Sequence, residues 1–335
     1  MRTSPERQRA APTSVLVAGC GAIGSVFACL LGAAGCAVTV LGRRDHVRAI
    51  AERGLRVTGI WGDYMAGGIA VAEAPDSLAR SYDAVLVTCK SYQTDRLLAD
   101  VGDRAHAGGV AISLQNGLGN YERVQEVYGR ERVLAGRVIF GAEIVEPAVA
   151  RVTVEAEPVL LGRPGRPADD CVRHWARTFA AAGIRCQPDD EIVGALWGKV
   201  FYNAALNPLG ALLGLSYGEL AADAERRAIM SRIIEEAFAV ASADGARLAW
   251  RSAAEYLDLF FGRLVPATAK HRSSMLQDLE RRRPTEIDAI CGEICRRGDE
   301  RGVDVVLNRL LAMLVTARSA SAGVAGANAA SPRGT

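Results

Sequence analysis

The chain has 335 residues, half of them hydrophobic, which is enough for two domains with separate cores and too apolar for a disordered polypeptide. Forty basic residues against thirty-eight acidic ones leave a formal charge of +2 with the signs interspersed, which argues against nucleic acid or an anionic membrane as partner and for small ligands. Eight cysteines show neither the close pairing of a zinc ribbon nor the density of a secreted scaffold, so packing thiols, no metal and a reducing cytoplasm are expected.

Residues 1–14, MRTSPERQRAAPTS, are polar and basic with no cleavage signal, and read as a flexible extension. Val15–Ala18 reads as a buried strand, GCGAIGS as a tight turn, Ser25–Ala34 as a helix and Ala37–Leu41 as a second strand, together a βαβ unit. The stretch from Val15 to Leu41 is apolar enough to imitate a membrane span, and the five glycines between positions 19 and 35 speak against one. LRVTGIWGDYMAGGIAVAE looks like strands around glycine turns. Strands at Ala84–Thr88 and Val110–Leu114 and helices at Thr94–Val101 and Tyr121–Val127 then continue a mostly parallel sheet. RVIFGAEIVEPAVARVTVEAEPVLLG is expected to add antiparallel strands at a sheet edge. A helix at Cys171–Ala182 and a strand at Ile184–Gln187 close this half.

From Asp189 the periodicity turns helical to about Arg318, interrupted by a turn signal at Asn207-Pro208, and no internal repeat is present. The tail 319–335 is mostly Ala, Ser and Gly with Pro332 near its end and is expected to be unstructured. The expected fold class is an α/β Rossmann-type N-terminal domain with added edge strands, plus an all-α C-terminal domain. The divisions are 15–188 for dinucleotide binding and 189–318 for substrate and catalysis.

Two groups of residues carry chemistry. Gly19, Gly21 and Gly24 form GxGxxG between a strand and a helix, where Gly19 permits the turn, Gly21 admits a pyrophosphate to the helix N-terminus and Gly24 lets helix pack on strand. Cys20, Ala22 and Ile23 complete that turn. The second strand ends in VLGRRDH, without the carboxylate that would hold an NAD ribose; Arg43, with Arg44 beside it, suits a 2′-phosphate, so NADPH is the expected cofactor. Asp45 would serve a ribose if the turn were shifted. The second group is Lys199, Asn203 and Asn207, four residues apart in the apolar GALWGKVFYNAALNPLGALLG, so that one helical stripe aims an amine and two amides at one small ligand. The alternative, a polar face turned to water, is opposed by Leu196, Trp197, Val200, Phe201, Leu206 and Leu209 around it.

GCGAIGS, TCKSYQT, SLQNGLGN, WGKVFYNAALNPL and SSMLQDLERRRPTEID, in this order, resemble the ketopantoate reductase (2-dehydropantoate 2-reductase) family over nearly the whole span from Val15 to Arg318. The resemblance implies NADPH-dependent reduction of 2-dehydropantoate to pantoate on the way to pantothenate and coenzyme A. In that reading Lys199 is the general acid and Glu286 an acidic partner that helps hold the substrate. Asn203 and Asn207 bind the substrate's hydroxyl end, Ser274 and Asn116 serve its carboxylate and the region of the nicotinamide, and Lys90 lies beside the cofactor. Ser273 competes with Ser274 as a ligand or cap, and Glu286 has a competing reading as a surface partner of Arg281, Arg282 or Arg283. Burial would lower the Lys199 pKa and Glu286 would raise it, with the balance left open. The alternatives are reduction of a different 2-oxo acid on the same scaffold and, ranked below it, a non-catalytic NADP-binding sensor, which would not need Lys199. A homodimer stands as the candidate assembly.

Overall fold

In the computed structural model the chain is described over residues 12–79 and 81–321; the expectations for the first eleven residues and for 322–335 fall outside that range. The first half supplies strands β1 (Ser14–Ala18), β2 (Ala37–Leu41), β3 (Leu55–Gly59), β4 (Tyr64–Ala66), β5 (Ala70–Ala72), β6 (Tyr82–Val87), β7 (Ala105–Ser113), β8 (Val133–Arg137), β9 (Phe140–Glu146), β10 (Val149–Glu155), β11 (Val159–Gly162) and β12 (Cys186–Pro188). Its helices are α1 (Ala22–Ala33), α2 (Arg44–Arg53), α3 (Thr94–Val101), α4 (Asn120–Tyr128) and α5 (Asp170–Ala181). An eight-stranded sheet runs β12-β11-β8-β7-β6-β1-β2-β5, parallel from β8 to β5, with β11 antiparallel to β8 at the far side. The chain reverses its direction of winding at β1, between β2 and β6, which opens a crevice at the carboxyl ends of those strands.

Four expectations change. Ser14 belongs to β1 and not to a flexible extension, because its N–H and hydroxyl both bond the Asp83 carboxylate. β9 and β10 do not extend the edge of the main sheet; with β3 and β4 they form a second sheet, β4-β3-β10-β9. The apolar side chains of this sheet, among them Val57, Ala66, Ala150 and Val152, share a core with Phe27, Leu30 and Leu31 of α1. Sandwiched between two sheets, α1 needs apolar residues on nearly every side, which is why its sequence imitates a membrane span. Among the described residues no helix is long and apolar enough to cross a membrane.

From Ile192 onward every described regular element is helical: α6 (Ile192–Leu213), α7 (Tyr217–Ala221), α8 (Ala224–Ala243), α9 (Ala253–Leu259), α10 (Val265–Ala267), α11 (Ser274–Glu280), α12 (Glu293–Arg301) and α13 (Val306–Ser321). α6 passes through Pro208 instead of turning at Asn207-Pro208. An interior proline costs about 3 kcal/mol, and a helix buried along most of its length, with Trp197, Phe201 and Leu206 sealed in the core, recovers more than that. α13 runs to Ser321, so Ser319, Ala320 and Ser321 are helical and not part of an unstructured tail.

The halves meet along the loop after β7. Leu118 N–H donates to the Ala289 carbonyl at 2.8 Å, and Arg297 of α12 donates to Glu122 of α4 at 2.6 Å. Gly117, at φ +87°, lies against the Ala289 backbone so closely that a Cβ would come within 2.3 Å of its carbonyl oxygen. The loop that carries Asn116 is thereby held against the helical half.

Candidate active site

The glycine turn separates fold requirements from ligand requirements. Gly19 has φ +91°, and a Cβ there would lie 2.5 Å from the Cys89 nitrogen; a Cβ on Gly24 would lie 2.6 Å from Thr88 Oγ1. Both glycines are demanded by the packing of the turn on the end of β6. Gly21 is different: the nearest atom to its Cβ position, Gly19 O, is 3.9 Å away, so the protein itself leaves that space open. Cys20 N–H is spent on the Leu41 carbonyl, whereas Ala22, Ile23 and Gly24 begin α1 with N–H groups that no helical carbonyl reaches, and no acidic residue stands in that first turn. This cradle fits a dinucleotide pyrophosphate. The Cys20 thiol, pushed up to about 11 by burial, is a packing group.

Gly19→Ala is therefore expected to cost about 3 kcal/mol or more of stability through its left-handed backbone and the Cys89 overlap. Gly21→Ala should lower stability by only about 1 kcal/mol, the cost of alanine at an N-cap, while weakening NADPH binding at least tenfold. Thermal melts and fluorescence titration separate the two; equal effects of both substitutions on melting would contradict the division.

Arg43 caps α2 and is exposed at the end of β2. Its neighbours are committed elsewhere, since Arg44 and Arg48 both engage Glu73, at 3.5 and 3.0 Å. Arg43 has no ion-pair partner among the described residues.

A second constellation sits across the crevice. Lys199, on α6, donates to Asn116 Oδ1 and to the Val138 carbonyl, each at 2.5 Å. Asn116 Nδ2 donates onward to Glu286 Oε2 at 3.3 Å. Glu286 also accepts from the Ser91 N–H at 3.0 Å and faces Lys90 Nζ at 3.4 Å, and Lys90 donates to Asp278 Oδ2 at 2.8 Å. The chain Lys199–Asn116–Glu286–Lys90–Asp278 thus joins α6, the loop after β7, the segment after α11, the loop after β6 and α11 itself. It abuts the glycine turn, because Gly19 lies against Cys89, the neighbour of Lys90.

Burial dominates the Lys199 ammonium and lowers its pKa to about 8, against the raising field of Glu286 and with help from the Arg137 guanidinium. Arg137, in β8, is itself largely buried and paired with Glu157 at 2.7 Å. For Glu286 burial pushes upward, yet Lys90, the Ser91 N–H and Asn116 outweigh it and hold the carboxyl below its ordinary range. Lys90 shows the converse balance: burial lowers its pKa, and the Glu286 and Asp278 carboxylates more than restore it. Burial raises the pKa of Asp278. Of the three N–H donors on the Lys199 ammonium two are used, leaving one for a ligand oxygen.

The remaining sequence candidates lie on the same side. Asn203 and Asn207 are buried on α6, at 7% and 5% exposure. The Asn203 amide has no hydrogen-bond partner among the described residues, and it is not among the sealed unpartnered atoms, which are Glu122 Oε2, Arg137 Nε and Asn308 Oδ1. Ser273 is the helix cap: its Oγ accepts from Leu276 N–H at 3.0 Å and donates to the Asn207 carbonyl at 3.3 Å. Ser274 is exposed at the first position of α11 and keeps its hydroxyl free. Asn116 has both ends of its amide occupied by protein, so it links Lys199 to Glu286 here. Glu286 pairs with Lys90 and not with Arg281, Arg282 or Arg283. Asp278 and Arg137 escaped the sequence reading. Asp278 follows Ser274 at helical spacing, and Arg137 interrupts the apolar VLAGRVIF, so each had a signal.

A family profile described as ketopantoate reductase PanE/ApbA matches residues 15–164, and its C-terminal counterpart matches residues 191–319. The chain belongs to the ketopantoate reductase family. It is 36% identical over 304 residues to the 2-dehydropantoate 2-reductase of Aquifex aeolicus, covering 90% of this chain and 96% of that one. To the protein of the same name from Pyrococcus horikoshii it is 31% identical over 309 residues, covering 92% and 98%. Among solved structures, a PanE/ApbA family ketopantoate reductase from Ralstonia eutropha superposes with a TM-score of 0.83 at 30% identity, covering 93% of this ketopantoate reductase family member and 100% of the other. A D-mandelate dehydrogenase solved with NADH and anilino(oxo)acetate has a TM-score of 0.85 at 24% identity over 93% of this chain and 100% of that one, so the fold alone does not choose the oxo acid.

Proposed function

We propose that this ketopantoate reductase family member reduces 2-dehydropantoate to pantoate with NADPH, in the supply of pantothenate and coenzyme A. The observation that carries the reading is the buried Lys199 ammonium, depressed to about 8 and joined through Asn116 to Glu286 at the crevice that the glycine turn borders. When bound, the reduced nicotinamide supplies the hydride that the ketone carbon receives. Lys199 directs its free N–H at the ketone oxygen and transfers that proton as the carbon becomes tetrahedral, ending as a neutral amine that recovers a proton from solvent. A pKa near 8 suits it, since the acid is largely protonated at neutral pH and yields its proton more readily than an exposed lysine.

The substrate carboxylate enters a site whose own charges cancel in pairs, Lys199 and Lys90 against Glu286 and Asp278. The free Ser274 hydroxyl is available to the carboxylate, and the amides of Asn203 and Asn207 to the far hydroxyl. Glu286 keeps Asn116 turned so that its carbonyl end receives Lys199, which holds the ammonium in place before substrate arrives. The apolar wall of α6 excludes water from the transfer. Eight free thiols are consistent with a cytoplasmic setting.

The reading is tested by following NADPH oxidation with a panel of 2-oxo acids; a preference for an acid other than 2-dehydropantoate would replace the substrate and keep the chemistry. In the same assay Arg43→Ala should weaken NADPH by tenfold or more, the scale of one lost charge-assisted bidentate contact, and leave NADH nearly unchanged. Equal losses for both cofactors would remove Arg43 from phosphate recognition.

A further inference from the structure

The amide of Asn207 is held by a residue outside the site described above. Tyr217 opens α7, where Ser216 and Glu219 form a capping box that fixes the helix start. The Tyr217 N–H donates to the His271 carbonyl at 3.1 Å, and its ring stands edge-on to His271 at 5.1 Å and to Tyr202 at 5.6 Å between ring centres. The residue is 3% exposed, and its hydroxyl donates to Asn207 Oδ1 at 2.7 Å. On the other side the Asn207 backbone carbonyl accepts from Ser273 Oγ, next to Ser274. Backbone and side chain of Asn207 are therefore both anchored by helices other than its own.

A carboxamide presents a donor at one end and an acceptor at the other, and a free one can turn either toward a ligand. Here the acceptor end is turned to the Tyr217 hydroxyl, which fixes the direction of the donor end. The donor end, Nδ2, has no partner among the described residues and is not one of their sealed unpartnered atoms. Turning the amide over would set its NH₂ group against the phenol hydroxyl and break the bond that now holds Oδ1.

Building on the proposed function, we propose that Tyr217 is a positioning residue that sets substrate specificity: by occupying Asn207 Oδ1 it obliges Asn207 to offer a donor, and so selects 2-oxo acids with an oxygen acceptor at the end remote from the carboxylate. An acid without that oxygen leaves the Nδ2 donor unpaired, which is the strong form of discrimination. Tyr217 itself acts through Asn207, and its removal frees the amide to turn without altering Lys199 or the cofactor cradle.

The test compares 2-dehydropantoate with 3,3-dimethyl-2-oxobutanoate, the same acid with its terminal hydroxyl replaced by hydrogen. The native enzyme should prefer the hydroxylated acid by about a hundredfold or more in kcat/KM. Tyr217→Phe should raise KM for that acid about tenfold, with kcat within about threefold, and leave the deoxy acid and NADPH affinity unchanged. Asn207→Asp, which keeps the acceptor for Tyr217 but has no donor, should lose the preference in the same way. On an Asn207→Ala background Tyr217→Phe should add nothing. Equal losses for both acids, or a Tyr217→Phe effect that survives on the Asn207→Ala background, would overturn the role of Tyr217. A native enzyme that reduces both acids equally well would also overturn it, whereas one that reduces neither would overturn the functional reading itself.

Discussion

Replacing Lys199 with alanine is expected to lower kcat for oxo-acid reduction by about a thousandfold, within the range for loss of a positioned general acid, and to leave the NADPH dissociation constant within about twofold. The two outcomes separate because Lys199 bonds Asn116 and Val138, while the glycine turn and Arg43 lie on other elements. Lys199→Arg should be nearly as impaired, since a guanidinium keeps the charge and does not release its proton at accessible pH. The pH dependence follows from the depressed pKa. Reduction needs the protonated amine, so kcat/KM should be level below about 8 and fall as pH rises through it; alcohol oxidation needs the neutral amine and should rise across the same interval. Single-turnover kinetics at several pH values, with fluorescence titration of NADPH, read all of this. Turnover of the alanine variant within about threefold of native would take Lys199 out of the chemistry.

Glu286→Gln is expected to reduce kcat/KM at pH 7.5 by about a hundredfold, the scale of one lost hydrogen bond to a charged group, and to move the alkaline limb of the profile to lower pH. Glu286 is what holds the Lys199 pKa up; without its charge, burial and Arg137 act unopposed and the amine loses its proton sooner. The glutamine still accepts from the Ser91 N–H and leaves Lys90 its bond to Asp278, so the fold should survive. A limb that stays at its native position would show that Glu286 and Lys199 are not electrostatically coupled. A loss confined to KM would make Glu286 a substrate ligand only.

Both substitutions depend on a constellation that was only partly legible in the chain. Lys199, Asn203 and Asn207 stood out because a period of four in an apolar run needs no partner to be noticed. Lys90, Asn116 and Glu286 were named through the resemblance, not through any local pattern. Their mutual contacts were invisible, since Lys90 and Asp278 are 188 positions apart and Lys199 and Asn116 are 83 apart. Val138 could not have been found at all, because it acts through its carbonyl and any residue supplies one. Choosing between Ser273 and Ser274 required knowing which hydroxyl faces the Asn207 carbonyl.

The amino-acid sequence by itself determined the parallel sheet, the glycine turn, the helical second half and the absence of an acid after the second strand, because each is written in short-range spacing and side-chain type. Only the tertiary structure decided that β9 and β10 leave the main sheet to join β3 and β4, that α6 runs on through Pro208, that the Tyr217 hydroxyl bonds the side-chain Oδ1 of Asn207, and that burial wins over Glu286 at Lys199. The physical reason is common to all four. Each outcome is a contest between opposing interactions of similar strength, a broken helical hydrogen bond against a buried face or a desolvated charge against a nearby carboxylate, and which of them prevails depends on neighbours that only folding brings within reach.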